Sequence, residues 1–272
     1  MLQAYQFGRD NHLVGVLESG EGGPQSESVV VIPNAGFVSQ AGPFRLHVHL
    51  SRQLASQGLP CLRFDLSGLG DSALPTTREA TGARKLADID DAIDFALAQT
   101  GASRIIIVGL CSGATDAHES ALKSRHQIAA IGLLDPVAYP NRLYHTIEWA
   151  RKLTSPRRIG RLIRRKLAAT GTGEDVAPSA PRIHKPRPAE QFVAELEAIT
   201  AKGTECLFVY TGGRQYNHKN QLFSILTPRT DRNRIATLFY PQCDHTFILD
   251  SHRRMVCEAV GDWVTAVGSS GE

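Results

Sequence analysis

Short apolar runs recur along the chain at a spacing that alternates strand with helix. "LQAYQF" and "HLVGVLES" flank the turn residues "GRDN" and predict a β-hairpin, and "EGGPQSES" reads as a loop. "VVVIP" at 29–33 is a continuous β-branched run, the pattern of a strand buried on both faces. Residues 44–58 set Leu46, Leu50 and Leu54 at helical spacing and stop at Gly58. A strand at 59–65 follows, then a helix over about 83–99 with Leu86, Ile89, Ile93 and Leu97 on one face. "RIIIVG" (104–109) predicts a third buried strand with a helix after it to about Lys123, and "IAAIGLLD" (128–135) a fourth strand.

The rhythm breaks over 136–200, which hold Trp149, a basic stretch, the Gly/Thr/Pro-rich "TGTGEDVAPSAPRIHKPRP" and a helical "AEQFVAELEAIT". Alternation resumes with a strand at 205–213, a helix near 217–226, a strand at 234–240 and a last helix from about 251 to 267. This order predicts an α/β fold, with a mostly parallel sheet, right-handed crossovers and helices on both faces. Residues 1–135 and 201–272 form the expected core. Residues 136–200 form an expected helical cap over the carboxyl edge of the sheet, where ligands sit in open α/β folds.

Composition narrows this picture. A length of 272 residues, 42% hydrophobic, suits one large α/β domain with an insertion. No apolar run approaches the roughly 18 residues of a membrane-spanning helix, and the N-terminus shows no secretory pattern. Five cysteines, an odd number without C-x-x-C spacing, predict neither a disulfide framework nor a zinc site. The expected setting is a reducing cytoplasm.

The net charge of +3 conceals an asymmetry: residues 151–187 carry eleven Lys/Arg against two acids, +9, which leaves −6 for the rest. Arg157, Arg158, Arg161, Arg164 and Arg165 concentrate that charge. Such a patch suits an acidic carrier domain or the phosphates of coenzyme A. The apolar positions within "RRIGRLIRRKL" also leave contact with an anionic membrane surface open. Aromatic residues are too sparse there for nucleic acid to be the expected partner.

The candidate chemistry sits in "RIIIVGLCSGAT", which reads strand, sharp turn, helix. A nucleophile at such a turn needs small residues two before and two after it. Gly109 and Gly113 meet this around Cys111, whereas centring on Ser112 puts Leu110 at a small position. Cys111 is therefore the candidate nucleophile, and the Ser112 amide a candidate oxyanion donor. "VVVIPNAGF" ends a buried strand in a small-residue loop, which makes the Phe37 amide a second donor. "DHTFILD" after the last strand places His245 as the base. "RFDLSGLGDS" lacks the Lys-Ser/Thr ending of a phosphate loop, so nucleotide binding is not expected.

These pieces, "IPNAGF", "RFDLSGLGDS", "VGLCSGA" and "DHTF", resemble the α/β-hydrolase superfamily in kind and order, from about Val29 onward. With a cysteine at the elbow, the stretch from "AGPFRLHVHL" to "LSGLGDS" also resembles exosortase-associated hydrolases. It resembles, too, the aminoacyl- and acyl-shuttling enzymes of nonribosomal peptide pathways. The resemblance implies a Cys–His–acid triad. Many relatives place the acid after the penultimate strand, but the loop here, "TGGRQYNHKNQ", has no Asp or Glu. Asp135 at the end of the fourth strand is one candidate, and Asn217, as a neutral amide, is the alternative. Asp244, adjacent to His245, is expected to point elsewhere.

A cysteine nucleophile favours acyl transfer between thioesters, since thioester-for-thioester exchange is nearly isoenergetic. No metal or redox cofactor is needed for it. Two other readings stay open: a plain ester or thioester hydrolase, and a non-catalytic scaffold, which the acid-free "TGGRQYN" loop favours.

Overall fold

Alternate strand residues pack on opposite sides of one sheet. In β3 (Ser28–Pro33) Val29 and Val31 belong to one hydrophobic cluster, and Val30 and Ile32 to another. In β5 (Arg104–Leu110) Ile105 and Ile107 separate from Ile106, Val108 and Leu110 in the same way. These are the β-branched runs that mark strands buried on both faces. The computed structural model describes residues 1–20, 26–76, 79–153, 187–212 and 215–269.

The other strands are β1 (Leu2–Phe7), β2 (Leu13–Glu18), β4 (Cys61–Asp65), β6 (Ile128–Leu134), β7 (Glu205–Thr211) and β8 (Ile235–Tyr240). Their order in the sheet is β1-β2-β4-β3-β5-β6-β7-β8. The pairs β1/β2 and β2/β4 are antiparallel and the remainder parallel. Helices α1 (Leu46–Ser56) and α6 (Asp250–Ser269) cover one face through Leu46, Leu50, Leu54, Val256, Val260 and Val264. Helices α2 (Thr81–Thr100), α3 (Ser112–Lys123) and α5 (Ala189–Ala201) cover the other. After β3 the chain passes through α1 to β4 on one side, then through α2 to β5 on the other side of β3. That reversal opens a crevice at the carboxyl ends of β3 and β5.

Two expectations need correction. Residues 217–226 form turns rather than a helix. The Gln221 side chain accepts from the Asn217 amide (3.0 Å) and donates to the Tyr139 and Gln215 carbonyls (3.1 and 2.6 Å). Pro228 follows closely. Side-chain bonds to the backbone here compete with the helical ladder. Also, α5 fell inside the expected cap, yet it buries Phe192, Val193, Leu196 and Ile199 in the cluster that holds Ile131, Leu133 and Phe208. It packs as a crossover helix between β6 and β7.

Of the expected insertion, α4 (Arg142–Leu153) and α5 are described. The basic positions Arg157, Arg158, Arg161, Arg164 and Arg165 lie outside the described residues. Among the described residues no helix is long and apolar enough to cross a membrane.

Candidate active site

The buried run of β5 ends at Leu110, and the chain turns at once into α3. Cys111 is the turning residue, with φ 58° and ψ −109°, at the N-cap of α3. A Cβ on Gly109 would lie 2.1 Å from the Gly113 carbonyl oxygen, so only glycine fits there. A Cβ on Gly113 would lie 3.3 Å from the Asn34 carbonyl oxygen of the loop after β3. The flanking glycines thus answer close backbone approaches, with Cys111 at the apex.

No disulfide joins the five cysteines. Cys111 is half-buried, whereas Cys61, Cys206, Cys243 and Cys257 are buried. Burial, reinforced by the Asp244 charge, pushes the Cys243 thiol up to about 11. Burial pushes Cys257 up to about 12, against the opposing charge of Arg253. Cys61 and Cys206 are raised further, also by burial. These four stay protonated at neutral pH and are unsuited to attack.

The Cys111 amide donates to the Leu134 carbonyl (3.0 Å), which ties the elbow to the end of β6. The next residue, Asp135, turns out of the strand at φ 47° while its amide donates to the Val209 carbonyl (2.7 Å). Its buried carboxylate accepts from the Thr211 amide at Oδ1 and from the Thr211 hydroxyl at Oδ2, each at 3.0 Å. It also accepts from His245 Nδ1. An ionised carboxylate can only accept, so this bond puts the proton on Nδ1 and leaves Nε2 as the basic nitrogen.

His245 reaches this position on a tightly seated loop. A Cβ on Gly212 would lie 2.1 Å from the Pro241 carbonyl oxygen, and the Gly212 amide donates to the Cys243 carbonyl (3.2 Å). Phe247, at φ 54°, is fully buried among Leu46, Val256 and their neighbours. Asp244 turns into its own loop, accepting from the Thr246 amide (2.9 Å), the Thr246 hydroxyl (2.7 Å) and the Ile248 amide (3.0 Å). Partial burial works to raise its pKa, but these bonds outweigh it and hold the carboxyl below the usual range.

Asn217 is placed elsewhere than the alternative required. Its side-chain amide donates to the Tyr144 carbonyl of α4 (3.1 Å). It serves the junction between that helix and the loop after β7.

The loop carrying Phe37 is bound to the elbow and to the core. The Gly36 amide donates to Ser112 Oγ (2.6 Å). Asn34 donates through its side chain to the Gly36 and Val38 carbonyls (2.9 and 3.1 Å), and accepts from the Leu66 amide (3.1 Å). The Gln40 amide donates to Asp65 Oδ1 (2.6 Å), and Arg63 donates to the Gln40 side chain. Phe37 and Ser112 therefore lie on two segments fastened together beside Cys111. Beneath this loop His47 is buried against Gly42. Burial drives its pKa down to about 4, with a backbone hydrogen bond at Gln40 opposing and the Arg63 charge adding. Asp65 also accepts from the Asp71 amide (3.2 Å), and its carbonyl accepts from the Ser72 hydroxyl (2.6 Å), so "RFDLSGLGDS" closes upon itself.

Three contributors are silent in the sequence: Thr211, the Asn34 side chain and the Ser112 hydroxyl. Thr211 ends the strand after which relatives place the acid. That position was the signal, but its meaning depends on Asp135 standing on the neighbouring strand.

Residues 29–259 match the profile of the alpha/beta hydrolase family. No curated protein sequence matches the chain. Among solved structures, Est1E from Butyrivibrio proteoclasticus aligns with 17% identity and a TM-score of 0.60, covering 97% of this chain and 98% of its own. An esterase of Pyrococcus furiosus aligns with 12% identity and a TM-score of 0.62, over 98% and 92%. A proline iminopeptidase of Mycobacterium smegmatis aligns with 13% identity and a TM-score of 0.60, over the whole of both chains. At these identities the likeness is one of fold.

Proposed function

Because the chain belongs to the alpha/beta hydrolase family, we propose that it is an enzyme acting through a thioester acyl-enzyme on Cys111, taking its acyl group from a carrier-linked or coenzyme A thioester. The observation that carries this reading is the His245–Asp135 hydrogen bond, formed one residue beyond the carbonyl that receives the Cys111 amide. The N-terminus of α3 favours a thiolate at the N-cap, and the proposed pairing with His245 would favour it further. The Ser112 hydroxyl is engaged by the Gly36 amide, which supports the cysteine over its neighbour.

In the proposed cycle His245 Nε2 takes the thiol proton. The Cys111 sulfur forms a bond to the carbonyl carbon, and the Phe37 and Ser112 amides stabilise the oxygen that becomes negative. On collapse the bond to the donor sulfur breaks, and His245 returns the proton to that thiol. An acceptor amine, thiol or water then attacks the acyl-enzyme with the same groups in reverse. Asp135 fixes the imidazole tautomer and balances the imidazolium. The non-catalytic reading rested on the acid-free loop after β7, and an acid delivered from β6 removes that ground.

The partner is proposed from the sequence alone: the positive charge at Arg157–Arg165 suits an acidic carrier or a phosphate-bearing donor. The link to acyl-shuttling or exosortase-associated enzymes is likewise proposed from the motif stretch. Plain hydrolysis is the second reading, favoured by the likeness in fold to solved esterases.

Intact-mass spectrometry after incubation with acyl thioesters tests the proposal. The acyl mass is expected on the native protein and absent from Cys111→Ala; acylation of that variant overturns the assignment. Release of acid at one rate, whether or not an acceptor thiol or amine is present, would select hydrolysis.

A further inference from the structure

Single exposed apolar side chains are ordinary on a protein surface; their gathering around one site is not. Of the eleven large apolar side chains exposed among the described residues, nine leave the carboxyl ends of β3, β4, β6 and β8. Several stand within a few residues of the proposed reacting groups. Phe37 (79% exposed) bears a proposed oxyanion amide, Val137 (43%) follows Asp135, and Ile248 (53%) and Leu249 (55%) follow His245. Leu143 and Trp149 are exposed on α4, the helix that follows Val137.

Charge is missing from three of these stretches. Residues 33–44 contain no Asp, Glu, Lys or Arg, and neither do 136–141 or 246–249. Asp135 is buried against Thr211 and His245, and Asp244 is bound within its own turn. Phosphates or a charged acyl group would find no counter-charge among these described loops. An alkyl chain would find exposed apolar side chains on the loops that carry the proposed reacting groups.

Resting on the acyl-enzyme reading above, we infer that the group transferred is a medium-to-long, unbranched apolar acyl chain. Its carbonyl sits at Cys111 and its tail lies along Phe37, Val137, Ile248 and Leu249. A polar or charged aminoacyl group is the wrong chemistry for this surface. Exposed in the unliganded protein, these side chains lose water only when such a tail covers them, so each added methylene contributes to binding.

The test uses the full-length protein and a series of acyl-N-acetylcysteamine thioesters from two to ten carbons. The value of kcat/KM is expected to rise roughly twofold per methylene, about 250-fold over the eight methylenes added across the series. The variants Val137→Ser and Ile248→Ser/Leu249→Ser should flatten that slope. A second arm separates this inference from the reaction itself. S-decyl and S-ethyl pantetheine, thioethers with no thioester carbonyl to attack, are titrated calorimetrically into Cys111→Ala.

Decyl binding at least tenfold tighter than ethyl supports the apolar tail even if no acylation of the native protein is found. Acylation at Cys111 with equal rates across the chain lengths overturns the inference and leaves the acyl-enzyme standing. A flat series together with a dimer, or with attachment to phosphatidylcholine vesicles, abolished by the same serine substitutions, also overturns it. Those outcomes would assign the surface to a second copy or to lipid.

Discussion

The two edges of the sheet turn the chain by different means. At the amino edge the turns into β4, β5 and β7 run through Gly58, Gly101 and Gly203, with φ of 83°, 69° and 88°. Each has open space where a Cβ would stand. At the carboxyl edge glycines also take such angles, at Gly36, Gly42, Gly68 and Gly70, but left-handed positions there carry side chains as well: Cys111, Asp135 and Phe247, with Phe44 and Arg45 in the loop after β3. Among the described residues Asn11, in the β1–β2 turn, is the one other such non-glycine position. Left-handed backbone costs of order 1–3 kcal/mol per side-chain-bearing residue and persists where the surroundings over-determine it. Here the surroundings are the Leu134 and Val209 carbonyls, the Thr211 donors and the buried ring of Phe247. Relaxed turns serve the fold at one edge, and strained turns aim side chains at the other.

The sharpest way to break this contrast is to add the same methyl at both edges. Gly109→Ala drives a Cβ into the Gly113 carbonyl and is expected to cost more than ~3 kcal/mol, with loss of activity. Gly101→Ala meets nothing and is expected to cost about 1 kcal/mol, for its backbone angle alone. Equal falls in thermal midpoint would refute the distinction.

Next in size is the acid. Asp135→Asn should lower kcat by about 10³–10⁴ with KM little changed, as expected for an acid that fixes a histidine tautomer. Asn217→Ala should leave kcat within a few-fold, because its amide serves Tyr144. A large loss at Asn217 in steady-state kinetics would reverse the assignment.

The two edges should also separate on titration. The amino edge holds its helix ends with basic side chains: Arg104 donates to the Val267 carbonyl (3.1 Å), and Lys202 to those of Ala121 and Leu122 (3.0 and 2.7 Å). The carboxyl edge buries His47 instead. Its folded pKa of about 4 lies below the unfolded value near 6.5, so the unfolded chain takes up a proton first as pH falls. Its contribution to stability is therefore present above pH ~6.5 and lost between there and ~4, by about 3 kcal/mol. His47→Phe should flatten urea-unfolding stability across that window, and an unchanged acid slope would count against the buried neutral ring.

The smallest expected effect is at Thr211. Thr211→Val removes the hydroxyl donor to Asp135 and should lower kcat about tenfold, close to one charge-assisted hydrogen bond. Thr211→Ser should restore most of it, whereas a loss from altered packing alone would not be rescued.

The parts of the site that depend on local geometry are legible in the sequence. Gly109 and Gly113 around Cys111 record backbone collisions within a few residues, and β-branched runs record burial on both faces. The acid was left between Asp135 and Asn217 because that choice depends on which strand end faces the imidazole, across 110 residues of chain. Thr211 was silent for the same reason. The helix expected at 217–226 failed because apolar spacing does not register that Gln221 and Asn217 bond to the backbone. The α5 boundary slipped because a shift in composition marked the insertion, while Phe192, Leu196 and Ile199 were already facing the core.

With the proposed acid placed just after β6, the proposed mechanism asks no reacting group of the connection leaving β7. Insertions, deletions or drift beyond Gly212 would then leave the proposed proton-handling trio undisturbed. Change in that connection is expected to be uncoupled from change in rate.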